Sequence, residues 1–139
     1  MNENIQSLLP SVLKSIHSVL NAKSDCVLAL AGGNTPKPFY QSLSEADLPW
    51  HKIKLTLTDE RWVPIDHVDS NEAMIKTAIG NVIDENNFIG LKNSEANINK
   101  GCELTHKTLQ QLAPKLDLVI LGMGEDGHFA SIFPDVENI

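Results

Sequence analysis

Cysteine is scarce in this chain: Cys26 and Cys102 are the only two, far apart and without a CxxC spacing. That argues against a disulfide framework or a zinc ribbon, and two buried, reduced thiols in a cytoplasmic protein are expected. Positive charge is also short. Eleven basic against 18 acidic residues give a net charge of −7, and no basic cluster stands out. Neither nucleic acid nor an anionic membrane is therefore an expected partner. No apolar run approaches membrane-spanning length. The opening MNENIQSLLP lacks the cationic start and apolar core of a signal peptide. Internal repeats, low-complexity tracts and Gly/Ser linkers are missing too, so residues 1–139 are expected to form one domain. His51, His67 and His106 share no metal-ligand spacing, and no metal site is expected.

What is present is a series of apolar strands running into unusual loops. Ile5, Leu8, Leu9, Val12, Ile16, Val19 and Leu20 fall at helical spacing, with Ser7 as the expected cap. Asp25 to Ala31 reads as a strand and runs into Gly32-Gly33-Asn34-Thr35-Pro36. There Thr35 is the expected helix cap, and Pro36 suits the first helical position. Exposed amides at that helix start suit a phosphate, with the Thr35 hydroxyl and Lys37 as possible additions. The spacing of a Walker P-loop is absent.

Ile53 to Thr58 alternates apolar and polar residues and reads as a strand partly exposed on one face. Asp59-Glu60-Arg61-Trp62 follows it. Ser70 is placed to cap a helix bearing Met74, Ile75, Ala78 and Ile79, with Asn71 in its first turn. Phe88-Ile89 is a short strand candidate. A helix from about Asn99 to Ala113 is expected to turn Cys102, His106, Leu109, Leu112 and Ala113 inward.

Leu118 to Leu121 reads as a strand buried on both faces, and Gly122-Met123-Gly124-Glu125-Asp126-Gly127 delivers His128 just past its end. A histidine there, with Asp126 two residues away, is a candidate general base. The three glycines also spell a dinucleotide fingerprint, but the chain ends before the position about 20 residues on where its acidic residue is expected, and Glu125 and Asp126 would repel a pyrophosphate. No cofactor is expected. Helices bridge successive strands, so a parallel order would gather all three loops at one sheet edge.

With these residues in place, the chain resembles the 6-phosphogluconolactonase family. The matching pieces are Ala31 to Pro36, Thr58 to Pro64, Ser70-Asn71 and Leu118 to Pro134. The wider superfamily includes glucosamine-6-phosphate deaminase, whose catalytic glutamate falls five residues after the histidine. Here that position is Phe133, and the lactonase pattern fits better. The resemblance implies a three-layer α/β/α Rossmann-like sandwich with a mostly parallel sheet, truncated at the C-terminus, since family members continue well past Pro134. It implies hydrolysis of 6-phospho-D-glucono-1,5-lactone in the oxidative pentose phosphate pathway, with a non-catalytic sugar-phosphate module as the rival. His128 would be the base, with Asp126 and Asp59 beside it. Gly32, Gly33, Asn34, Thr35, Arg61, Asn71 and Gly124 would meet the substrate. Phe129 and Asn34 depart from the threonine and serine usual at those positions. A shortened sheet would leave an edge open to a second copy.

Overall fold

The computed structural model describes residues 5–136, in which helices and strands alternate. In order they are α1 (Leu9–Ala22), β1 (Cys26–Leu30), α2 (Lys37–Ser44), β2 (Ile53–Leu57), α3 (Asn71–Ile79), β3 (Phe88–Ile89), α4 (Ile98–Leu112) and β4 (Leu118–Val119). All pairings within the sheet are parallel and its order is β3-β2-β1-β4. From β1 the chain moves outward through β2 and β3, then returns to the other side of β1. The crevice between the ends of β1 and β4 is therefore a topological switch point, the usual place for a ligand in an open α/β sheet.

Period-two alternation explains the layering. Cys26, Leu28 and Leu30 of β1, with Ile53, Leu55 and Leu57 of β2, share one cluster with Ile16 of α1, Phe39, Tyr40 and Leu43 of α2, and Ile75, Ala78 and Ile79 of α3. Val27 and Ile89 point to the opposite face and meet Leu109 and Ala113 at the end of α4. Each fully buried Leu, Ile or Phe contributes about 1.5–3 kcal/mol, so the thicker face holds most of the stability.

Several expectations need correction. β2 is buried almost throughout because it lies between β1 and β3; Thr56 is accommodated by donating its hydroxyl to the Ile89 carbonyl at 2.8 Å. β4 is short and half-exposed, with Val119 at 47% and Leu121 just beyond it at 52%, because it pairs on one side only among the described residues. In α4 the inward face is Gly101, Thr105, Leu109 and the following Ala113, whereas Cys102, His106 and Leu112 are exposed. The Trp62 ring sets that rotation, because it lies where a side chain on residue 101 would go. Cys26 is buried as expected. Leu8 and Pro36 occupy the caps of α1 and α2 without side-chain cap bonds, displacing Ser7 and Thr35 from that role. Ser70 does cap α3, accepting from the Ala73 amide at 3.1 Å.

Asp117 pins the start of β4. Its carboxylate accepts from the Val27 amide at 2.9 Å and from Lys23 at 2.8 and 2.9 Å, joining the end of α1 to both strands. Among the described residues no helix is long and apolar enough to cross a membrane.

Candidate active site

The loops after β1, β2 and β4 enclose a cavity of about 420 Å³ at the switch point. Its wall includes Gly32, Gly33 and Thr35 from the first loop, Asp59 and Arg61 from the second, Asn71 from α3, and Gly124 and His128 from the third. Asn34 and Asp126, expected with them, do not line it. Lys37 faces a different cleft beside Gln41 and His67.

In the third loop, the His128 Nδ1 lies 2.5 Å from Oδ1 of Asp126. With Nδ1–H donating to that carboxylate, Nε2 carries the lone pair, which is the tautomer a base requires. The hydrogen bond from the ring, with a second from the His128 amide, holds the Asp126 carboxyl below its ordinary range. Phe133 stacks on the imidazole, centroids 4.8 Å apart and planes 28° from parallel. Gly124 is needed beneath the ring, since a Cβ there would lie 2.3 Å from Nδ1 and Cε1. Two amides of the turn are committed: Gly124 donates to the His128 carbonyl at 2.8 Å and Gly127 to the Gly124 carbonyl at 3.0 Å. They are thus poor candidates for oxyanion donors in this conformation.

The first loop contributes an anion cradle. Gly33 adopts φ 87°, which strongly favours glycine. Gly32 makes room for Asn71, whose Oδ1 lies 2.0 Å from where a Cβ would sit. The buried Tyr40 donates to the Ala31 carbonyl at 2.8 Å and fixes the end of β1. The Thr35 hydroxyl has no hydrogen-bond partner among the described residues and faces the cavity, so it can serve a bound anion.

The second loop divides its charges. Glu60 turns inward and accepts from the amides of Asn71 and Glu72 at 2.8 Å each and from the Ser70 hydroxyl at 3.2 Å. It neutralises exposed donors at the start of α3 and serves the fold. Asp59 faces the cavity and receives Asn71 Nδ2, which lies 3.1 Å from its carbonyl and 3.4 Å from its Oδ1. Arg61, on the cavity wall, donates Nη1 to the Asp69 carbonyl at 2.7 Å, and its other side-chain donors have no partner among the described residues. Trp62 leaves the site altogether and lies under Lys92, 4.4 Å from the ring centroid.

Ser131 was not marked by the sequence, yet its hydroxyl donates to Asp59 Oδ2 at 3.0 Å from the wall of the same cavity. No local pattern reveals it, because the partners lie 72 residues apart. His17, His51, His67 and His106 are exposed, and no group of three metal-ligating side chains occurs among the described residues.

The family model described as "Glucosamine-6-phosphate isomerases/6-phosphogluconolactonase" matches residues 1–139. A 6-phosphogluconolactonase of Pseudomonas aeruginosa is 36% identical over 134 residues, covering 96% of this chain and 56% of its own. The crystal structure of the Thermotoga maritima 6-phosphogluconolactonase superposes with a TM-score of 0.85 at 36% identity, over 91% of this chain and 58% of that one. The Shewanella baltica 6-phosphogluconolactonase structure gives 0.86 at 33% identity, over 93% and 56%. The chain thus spans 56% to 58% of the length of these relatives.

Proposed function

The chain belongs to the glucosamine-6-phosphate isomerase/6-phosphogluconolactonase family, and on that footing we propose that it hydrolyses 6-phospho-D-glucono-1,5-lactone to 6-phospho-D-gluconate. The observation that carries this reading is His128, oriented by Asp126 at 2.5 Å on the wall of the cavity that also presents Gly33, Thr35 and Arg61.

Nε2 of His128 takes a proton from water as its oxygen attacks the lactone carbonyl; the imidazolium then protonates the ring oxygen as the ester bond breaks. Asp126 stabilises the imidazolium and fixes its orientation. Asp59 offers an acceptor to the attacking water. The free donors of Arg61 supply positive charge to the developing oxyanion, a role the committed amides of Gly124 and Gly127 do not fill. The phosphate rests on the Gly32–Thr35 loop near the start of α2, where the backbone dipoles favour an anion.

Against the deaminase reaction, the position five residues after the histidine, where the resembling deaminases carry a glutamate, is Phe133, and its ring stacks on the imidazole. Lactone hydrolysis followed in a pH-stat, above the spontaneous rate, tests the assignment. His128→Asn should lose about 10²–10⁴-fold in kcat. An unchanged rate would refute the base assignment. Binding of 6-phosphogluconate without turnover by the parent chain would favour a sugar-phosphate module, and ammonia release from glucosamine 6-phosphate would favour the deaminase reaction.

A further inference from the structure

We propose that Ser131 is a positioning residue of this site, acting through Asp59. The loop after β4 folds back on itself as a small hairpin. Phe129 and Ile132 exchange backbone hydrogen bonds, Ile132 N to Phe129 O at 2.9 Å and Phe129 N to Ile132 O at 3.3 Å. Ala130 and Ser131 form its tip, and Ala130 has φ 48°, the only positive φ of a non-glycine residue among those described. A side chain at that φ is uncommon and persists only when surrounding contacts over-determine it. Here the turn aims the Ser131 hydroxyl at Oδ2 of Asp59, 3.0 Å away.

The consequence is topological. Asp59 follows β2 and Ser131 follows β4, and these strands are separated in the sheet by β1. No backbone ladder joins the two loops, so the hydroxyl–carboxylate bond is a clasp across the end of β1 and over the cavity. The remaining donors to the Asp59 carboxylate are weaker: Asn71 at 3.4 Å and Thr58 at 3.5 Å, both to Oδ1. Ser131 therefore decides where Oδ2 points. The hairpin also carries Phe133, stacked on His128, so the clasp fixes the acid and the imidazole relative to one another.

The kinetic test rests on the lactonase reading. Ser131→Ala should lower kcat about tenfold, the effect of one lost hydrogen bond to a charged group. KM for the lactone should move less than about twofold, because the anion cradle is untouched. Ser131→Thr, which retains the hydroxyl, should recover most of the rate. Equal losses in the Ala and Thr variants, or an unaltered kcat in Ser131→Ala, would overturn the proposal. A second measurement needs no turnover: a double-variant cycle of Ser131→Ala with Asp59→Ala, read by denaturant unfolding. The double variant should lose less stability than the two single losses together. Strict additivity would sink the clasp whether or not the chain is active. A coupled pair in a chain with no lactone turnover would leave the clasp standing and remove the lactonase reading.

Discussion

Replacing Gly124 by alanine probes the site at its tightest point. The added Cβ would lie 2.3 Å from Nδ1 and Cε1 of His128 and 2.7 Å from Oδ1 of Asp126. Ordinary contact begins near 3.4 Å, so the ring must retreat by roughly 1 Å or the turn must open. Either movement misaligns Nδ1 with Asp126, now 2.5 Å away. A shift of that size at a reacting group costs about 10²-fold in rate. Two readouts apply: kcat on the lactone, and the ¹⁵N shifts of the His128 ring, which report the tautomer independently of turnover. Gly122→Ala is the comparison. It adds the same methyl two residues earlier, where nothing lies within 4 Å, and its loss should be far smaller. Native ring shifts with full kcat in Gly124→Ala would refute the reasoning. Equal losses at positions 122 and 124 would point to a general effect on the loop.

At Gly32 the same logic runs through Asn71. Gly32→Ala sets a methyl 2.0 Å from Oδ1 of Asn71 and should cost about 1–3 kcal/mol in thermal unfolding, much of it recovered by adding Asn71→Ala. Asp117→Ala should cost about 1–3 kcal/mol in denaturant unfolding, because the Val27 amide and Lys23 lose their acceptor. Burial pushes the Asp117 carboxyl up, but the Lys23 bond and the Val27 amide outweigh it and the net direction is down. Its contribution is therefore present above the ordinary value of 3.8 and lost as pH falls through the lowered one, so the gap between parent and variant should close in acid. A gap that persists unchanged through that range would contradict the assignment. The half-exposed β4 edge should pair with a second copy at high concentration, and Val119→Lys should suppress this in sedimentation.

Strand and helix positions were legible because they depend on neighbours close in sequence. The apolar run 26–30 is buried at every residue, and parallel order followed from the helices between strands. Errors arose where an element's environment is set from a distance. The periodicity of 99–113 allows more than one inward face, and Trp62, from a loop some 40 residues earlier, selects the one carrying Gly101. Leu118 to Leu121 has the composition of a central strand, yet β4 within it pairs on one side only among the described residues. Thr56 looked solvent-facing until the Ile89 carbonyl supplied its partner.

The candidate site divides along the same line. Glycines and the histidine could be read locally, since a tight turn and a base are properties of a few consecutive residues. The division of labour between adjacent acids could not. Glu60 and Asp59 are neighbours of the same charge, but in the loop after β2 their side chains part, one going to the amides of α3 and the other to the cavity. Mutating the two should therefore separate: Glu60→Gln should mainly lower stability while leaving kcat near its parent value, and Asp59→Asn should mainly lower kcat at a smaller cost in stability. If both variants lost stability alike with rates intact, Asp59 would be a structural acid like its neighbour. The Ser131 bond would then hold only the fold, and His128 would have to act without an acid from β2.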